Sequence, residues 1–490
     1  MRVKREKEMD QFKENAKKQV EAKKDVILDV SHKVWDFAEL SLKEYKSAAL
    51  YVEVLKNEGF EVEEGLCGID TAFSGKFGSG KPVIAILAEF DALSGLSQRA
   101  GATERDFLEP DGSGHGCGHN MLGAGSFGAA LGIKHYLEQS GKSGTVIFYG
   151  CPGEEGGASK ALMARDKVWK ECDVALTWHP ADCFQVTTGT CNSCIQTLYK
   201  FKGVAAHAAG NPHEGRSALD AAELMNVGVQ FLREHAKPDA RIHYAIINGG
   251  GWSPNVVQPY ADLLYMVRST SVGDAVALQK RVDKIAKAAA DMTETSVEKI
   301  FVDACSNTVM NTVLEKLVYS NMEQIPIPEY TDEEWAFAEK LRETFPGKGK
   351  ISGAGAQHDE EIAAKVKELS EDGKRAINDF LMPFFSKYVE SPGSTDVGDV
   401  SWEIPTVQMG AATYPAGSPG HSWQNVSCGA TSIGDKGLMY AAKVLCASAI
   451  DLLNSPKTIS AAKKEQKKRV KDAGGYQCPV PKGAKLYVIE

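Results

Sequence analysis

Between His115 and Asn120 the chain reads His-Gly-Cys-Gly-His-Asn, which puts two imidazoles and a thiol on one glycine-loosened loop. Soft and borderline donors this close suit a transition ion such as Zn²⁺ or Mn²⁺, although a glycine-rich turn that happens to carry His and Cys reads the same way. Glu154-Glu155 is a second candidate. Adjacent carboxylates bracketed by glycines repel one another unless a cation or a shared proton offsets the repulsion. A divalent ion would hold one as a ligand and leave the other as a general base; two solvated surface acids would need neither. His179 and His421 follow, each beside a proline or a Pro-Gly turn. A lone histidine is ordinarily a hydrogen-bonded core residue, so both gain weight only from where they sit. His207, in Ala206-His207-Ala208-Ala209, reads by itself as a surface-turn histidine. Asn255 and Arg268 bracket one strand-like stretch. The arginine could clamp a carboxylate bidentately or be a structural surface residue.

The elements that must position these groups follow from hydrophobic periodicity. Lys81–Glu89, Gly144–Tyr149 and Cys172–Trp178 are short, nearly continuous apolar runs, as expected of strands buried on both faces. The first ends at Asp91, the second leads to Glu154-Glu155, and the third to His179. Met121–Leu137, just after the His/Cys loop, reads as an apolar helix, and residues 9–60 are helical up to a Glu58-Gly59 stop. Strands separated by helices predict a parallel α/β sheet whose site lies beyond the C-terminal strand ends. Strand-like Pro405–Ala412 and the loop after it can bring His421 to the same edge.

The pattern changes at Ser193. Strand Ser193–Gly203, helix Ser217–Ala236, strands Arg241–Asn248 and Val256–Ser269, helix Asp274–Thr293 and strand Val297–Ala304 give the order βαββαβ, a ferredoxin-like module. The expectation is an α/β catalytic domain of residues 1–191 and 308–490, with a mixed, mostly parallel sheet flanked by helices. A lid of residues 192–307 is inserted in it. Cys191 and Cys194 form a Cys-x-x-Cys at the predicted hinge. Residues 320–390 are polar and helical, open on a capping-box pattern at Thr331–Glu334, and include a Gly/Lys-rich loop, 346–357, read as mobile. Their expected place is the rim of a pocket. Ser432–Leu453 is a long apolar helix, and the tail after Ser455 reads as charged, then loop-like.

At 490 residues the chain exceeds what one core usually supports, about 250–300 residues. A net charge of −9 argues against a nucleic-acid partner. The charged N-terminus is no signal peptide, and no apolar stretch approaches the roughly 20 residues of a membrane span. Eleven cysteines, an odd number, read as reduced thiols. The expected setting is cytoplasmic, with no membrane partner.

Taken in order, AEFDAL (88–93), HGCGHN (115–120), PGEEGG (152–157), TWHP (177–180), the AHAA to GRSALDA run (206–222) and GHSW (420–423) resemble one metallopeptidase family. It is the family that contains carboxypeptidase G, the aminoacylases and the auxin-conjugate amidohydrolases, and the match spans nearly the whole chain. The resemblance implies two divalent ions per subunit, Mn²⁺ or Zn²⁺, held by Cys117, His119, Glu155, His179 and His421, with Glu154 as general base. Cys117 takes the place where many relatives have a bridging aspartate. Asp91 would orient a ligand imidazole, and His115 is left to support the loop. Asn120 departs from the aspartate usual in the amidohydrolase branch. In relatives a lid histidine reaches across a dimer interface to stabilise the oxyanion, while a lid Asn and Arg bind the substrate carboxylate; His207, Asn255 and Arg268 match them in position. The implied activity is hydrolysis of an N-acyl amino acid, with p-aminobenzoyl-glutamate the leading substrate. A dipeptidase, an N-acyl-amino-acid deacylase and a non-catalytic partner subunit are the alternatives. The implied assembly is a homodimer, or a heterodimer with a related subunit, formed through the lid.

Overall fold

The computed structural model describes residues 2–346 and 352–487. The chain divides into a larger unit (Met1–Gly189, Val309–Val389, Val400–Gly475) and a smaller one (Thr190–Thr308, Glu390–Asp399, Tyr476–Glu490).

The larger unit is built on a seven-stranded sheet. Its order is Glu61–Glu64, Phe73–Ser79, Gly144–Gly150, Val83–Ala88, Val174–Ala181, Thr406–Ala412, Gln185–Val186. The middle four strands are parallel and the outer three pair antiparallel with their neighbours, which leaves five of the seven running in one direction, so the sheet is mixed and mostly parallel as expected. Val83–Ala88 and Gly144–Gly150 are buried at every position, which is why they read as unbroken apolar runs. Helix His119–Ser140 crosses this sheet. Its Ser126 hydroxyl donates to the Leu87 carbonyl at 2.7 Å, and Trp178 Nε1 donates to the Leu122 carbonyl at 2.9 Å. Helix Ser432–Asn454 packs against it so closely that a Cβ on Gly132 would stand 2.6 Å from Cys446 Sγ. That second helix is long and apolar enough to cross a membrane, but 83% of its apolar window is buried inside the protein, as befits a core helix.

The predicted N-terminal helical region is three helices, Arg2–Ala22, Lys24–Phe37 and Tyr45–Asn57, with Gly59 at φ +80° after the last. The capping box is present: Thr331 and Glu334 close helix Asp332–Arg342 reciprocally. Residues 347–351 of the Gly/Lys-rich loop lie outside the described residues. The 320–390 segment braces the chain on either side of His421. Ala416 N–H donates to the Ala376 carbonyl at 2.8 Å, and Gln424 Nε2 donates to Thr344 Oγ1 at 3.1 Å. The tail is charged and then loop-like as expected: its charged part, Pro456–Asp472, is a helix whose inward face is only Ile459, Ala462 and Gln466, and irregular chain follows it.

In the smaller unit the strand order is Ser296–Cys305, Ser193–Lys202, Tyr260–Ser269, Arg241–Asn248, all antiparallel, with helices Ala218–Glu234 and Val272–Met292. This is the βαββαβ module. Two segments expected in the large domain join it. Glu390–Ser391 pairs with Thr190–Cys191, and the Tyr476 hydroxyl donates to Asp399 Oδ1 at 2.6 Å. Cys194 lies 3.3 Å, sulfur to sulfur, from Cys305 on the neighbouring strand, so the closest thiol contact is across strands rather than along the Cys-x-x-Cys. Asp303 is buried on the same strand as Cys305. Burial and then Asp396 push its carboxyl up to about 7, against the opposing pull of Arg268.

Two outcomes follow from this packing. Gly132→Val, which adds bulk against Cys446, should destabilise the larger unit by about 1–3 kcal/mol, measured by thermal unfolding. The native Asp303 holds a proton that the unfolded chain releases near its ordinary value of 3.8. Its contribution is therefore present at low pH and lost as pH rises towards about 7. Asp303→Asn should flatten that loss, read as denaturant midpoints at pH 5 and pH 8; equal slopes in both proteins would remove Asp303 as the cause.

Candidate active site

In the larger unit the C-terminal ends of four parallel strands and one helix start supply a single cluster. Val83–Ala88 runs into Glu89 and Asp91, Gly144–Gly150 leads to Glu154 and Glu155, Val174–Ala181 carries His179, and the loop after Thr406–Ala412 carries His421. His119 opens its helix directly after Gly118, which has φ +81° and where a Cβ would meet the Tyr414 hydroxyl at 2.0 Å. Only glycine fits there.

Asp91 organises the cluster. Its Oδ1 contacts His119 Nδ1 at 2.8 Å, and its Oδ2 accepts from the Glu155 backbone N–H at 2.9 Å and the Ser41 hydroxyl at 2.7 Å. Burial works against its charge, but His119 and these donors hold the carboxyl below the usual carboxylate range. With Nδ1 committed, His119 presents Nε2, which is buried and makes no hydrogen bond. His179 is turned the same way: its Nδ1 meets the Pro180 carbonyl at 2.8 Å, and its Nε2 lies 3.4 Å from Cys117 Sγ. Glu155 Oε1, also buried and without a hydrogen bond, lies 3.5 Å from His421 Nε2. Glu154 Oε2 is 3.9 Å from His119 Nε2. Burial pushes the Cys117 thiol and the Glu155 carboxyl up, so charge on either calls for a cation beside it.

Three donor triads result, each with its ligand atoms within 4.8 Å of one another: Cys117/His119/His179, Cys117/Glu155/His421 and Glu89/His119/Glu154. Cys117 and His119 each belong to two of them. Buried imidazole and carboxylate atoms with unspent lone pairs, beside a thiol, fit a divalent transition ion. All six residues named from sequence as ligands or base therefore meet at one strand edge, with Asp91 behind them. His115 does not join: its Nε2 contacts the Val34 carbonyl at 2.9 Å, and burial lowers its pKa to about 4. Asn120 donates to the Gly429 carbonyl at 2.9 Å and the Ser31 hydroxyl at 3.2 Å, a packing role.

Sequence reasoning missed three supporting residues. Glu89 enters a donor triad but was hidden inside an apolar run. Asn425 ties the two ligand loops, donating to the Gly116 carbonyl at 3.0 Å and accepting from Ser418 at 2.6 Å. Glu44, far away in sequence, accepts from Gly153 N–H at 2.8 Å and so fixes the start of the Glu154-Glu155 turn.

His207, Asn255 and Arg268 belong to the smaller unit. His207 is exposed, and its Nδ1 accepts from the N–H groups of Ala209 and Gly210 at 3.2 and 3.1 Å. The Asn255 carbonyl accepts from Ala208 N–H at 2.9 Å, which places Asn255 beside the His207 turn. Arg268 Nη1 donates to Ser394 Oγ at 2.7 Å.

Residues 193–294 match a family model described as a peptidase dimerisation domain. The chain is 41% identical over 469 residues to the B-type subunit of p-aminobenzoyl-glutamate hydrolase of Escherichia coli (strain K12), covering 94% of this chain and 96% of that one. It is 28% identical to the Xaa-Arg dipeptidase of Mus musculus, over 59% of this chain and 66% of the relative. Among solved structures, an aminobenzoyl-glutamate utilization protein from Klebsiella pneumoniae shares the fold. The TM-score is 0.59 at 15% identity, over 88% of this chain and 97% of the other. With a relative this similar along almost its full length, and the family's metal-site motifs gathered at one strand edge, the chain belongs to the metallopeptidase family that includes p-aminobenzoyl-glutamate hydrolase, and it is a hydrolase of amide bonds.

Proposed function

We propose that the chain hydrolyses p-aminobenzoyl-glutamate to p-aminobenzoate and glutamate. The observation that carries this reading is the 41% identity spanning 96% of the E. coli hydrolase subunit. A complete donor set supports it, because a silent partner subunit would be expected to have lost part of that set. Cys117, His119, Glu155, His179 and His421 would hold two divalent ions, Mn²⁺ or Zn²⁺. Such ions supply a Lewis acid for the amide carbonyl and lower the pKa of a water.

The protein's own groups do the rest. Asp91 and the Pro180 carbonyl fix the ring orientations of His119 and His179. Glu154, beside His119 on a glycine-flanked turn, takes a proton from the attacking water and delivers one to the departing glutamate nitrogen. The hydroxyl stays on the acyl carbon, completing p-aminobenzoate. His207 accepts two backbone N–H groups at Nδ1, so its neutral ring carries the proton on Nε2, a donor suited to a developing oxyanion. Asn255 and Arg268 take the substrate carboxylate.

The smaller unit also carries a surface suited to a second subunit. Arg241–Asn248 is an edge strand with Tyr244, Ile246 and Ile247 exposed. On helix Ala218–Glu234, Val227 and Phe231 are exposed as well, Phe231 at 73%. An unpaired edge beside an apolar helix face is a site for pairing with another chain. The family model matched there supports that use.

A hydrolysis screen of the isolated protein with added Mn²⁺ or Zn²⁺ tests the substrate. It should include p-aminobenzoyl-glutamate, dipeptides and acyl-amino acids. Turnover of p-aminobenzoyl-glutamate above the others is expected, and a preference for dipeptides would replace it with the dipeptidase reading. Glu154→Gln should keep its metal and lose about 10²–10⁴-fold in rate; near-wild-type turnover would remove Glu154 as base. Cys117→Ser should lower bound metal in elemental analysis. Phe231→Glu with Ile246→Lys should yield monomers in sedimentation velocity, whereas an unchanged assembly would locate the interface elsewhere.

A further inference from the structure

Lys160, on the helix Ser159–Arg165, is wholly buried. A lysine is almost never buried to this degree unless paired. Its Nζ lies 2.8 Å from Glu89 Oε1, and Glu89 is itself only 2% exposed, at the end of strand Val83–Ala88. Glu89 Oε2 then faces His119 Nε2 at 3.3 Å, the nitrogen left free by Asp91. One carboxylate thus spans a buried ammonium and a ligand imidazole, yet neither Glu89 nor Lys160 has a part in the ligand set or the proton transfers described above.

Donor spacing points to what Glu89 does. Two donors each about 2.0–2.2 Å from one tetrahedral ion stand roughly 3.4 Å apart. The Glu89–His119 separation of 3.3 Å meets that spacing, and the 3.9 Å from Glu154 to the same nitrogen does not. Glu154 is thereby left for proton transfer. Charge balance agrees. The carboxylates of Glu89, Asp91, Glu154 and Glu155 with a Cys117 thiolate carry five negative charges; Lys160 returns one, and two divalent ions match the remaining four. Without Lys160, Glu89 would be an excess buried charge beside Glu154.

We propose that Glu89 is a further oxygen ligand of the metal centre, sharing an ion with His119, and that Lys160 is the positioning residue that holds its carboxylate in the ligating orientation. The inference rests on the metal-centre reading above. The chemistry it adds is a sixth protein donor, an anionic oxygen beside the imidazoles and the thiol.

The test measures binding of Mn²⁺ and of Zn²⁺ by equilibrium dialysis with elemental analysis, together with the melting temperature of the metal-free protein. Glu89→Gln and Lys160→Met should each weaken metal binding by about 10–100-fold or more. Each should also lower the melting temperature, since each removes one close partner of a buried charge. The double variant Glu89→Met/Lys160→Met separates the two effects, because apolar side chains can replace a buried ion pair at little cost. It should recover the melting temperature and still bind metal weakly. Wild-type metal affinity in the double variant would overturn the proposal and leave the pair as packing alone. Cys117→Ser is run alongside. If it loses metal while the Glu89 variants do not, only the present inference fails; if it too binds both ions normally, the metal-centre reading fails with it.

Discussion

The site depends on one buried carboxylate with both oxygens in hydrogen bonds. Asp91 joins four separate parts of the chain: its own strand end, the first residue of helix His119–Ser140, the backbone of Glu155, and Ser41 near the N-terminus. A carboxylate so deeply buried is costly unless its charge is matched and its oxygens are hydrogen-bonded. Those same bonds turn His119 so that Nε2 faces the donor cluster, and they fix the turn bearing Glu154 and Glu155. The cost of burial is thus offset by the contacts that give the site its shape.

The helix behind Asp91 is held with equal economy. Ser126 and Trp178 bond it to the sheet, and Gly125 and Gly132 admit the Trp178 ring and Cys446 closely. Each ligand is therefore carried by rigid structure or by a loop tied to it. The loop bearing His421 is anchored by Asn425 to the Gly116 carbonyl and by the 320–390 segment through Ala376. Positions set in this way vary little, as a centre needs when its donors must meet within a few tenths of an ångström.

Much of this was legible in the sequence because burial on both faces writes a continuous apolar run, and polar residues following such runs mark a strand edge. Val83–Ala88, Gly144–Gly150 and Val174–Ala181 were readable for that reason, and with them Asp91, the Glu154-Glu155 pair and His179. The antiparallel strand Phe73–Ser79 left no such trace: its sequence, FSGKFGS, is half exposed and broken by glycines. Helix Pro456–Asp472 was hidden because three inward residues among seventeen give too weak a stripe to stand out from its lysines. Glu89 and Lys160 were illegible for a different reason. A carboxylate closing an apolar strand and a lysine on a short helix each look like surface residues, and only their 2.8 Å contact shows that both are inside.

The smaller unit draws on three separate stretches of chain, the last beginning at Tyr476. Ser306 N–H and the Tyr476 hydroxyl both bond to Asp399, and Thr190–Cys191 pairs with Glu390–Ser391. A ribosome therefore releases the βαββαβ core long before the residues that finish it. Between the synthesis of Cys305 and that of Tyr476 the module is unfinished, lacking first the Asp399 carboxylate that Ser306 needs and then the Tyr476 hydroxyl that bonds it. At about 5–20 residues per second, this interval lasts on the order of ten to thirty seconds. The order of synthesis makes the smaller unit, though central in the sequence, among the last parts of the molecule to be complete.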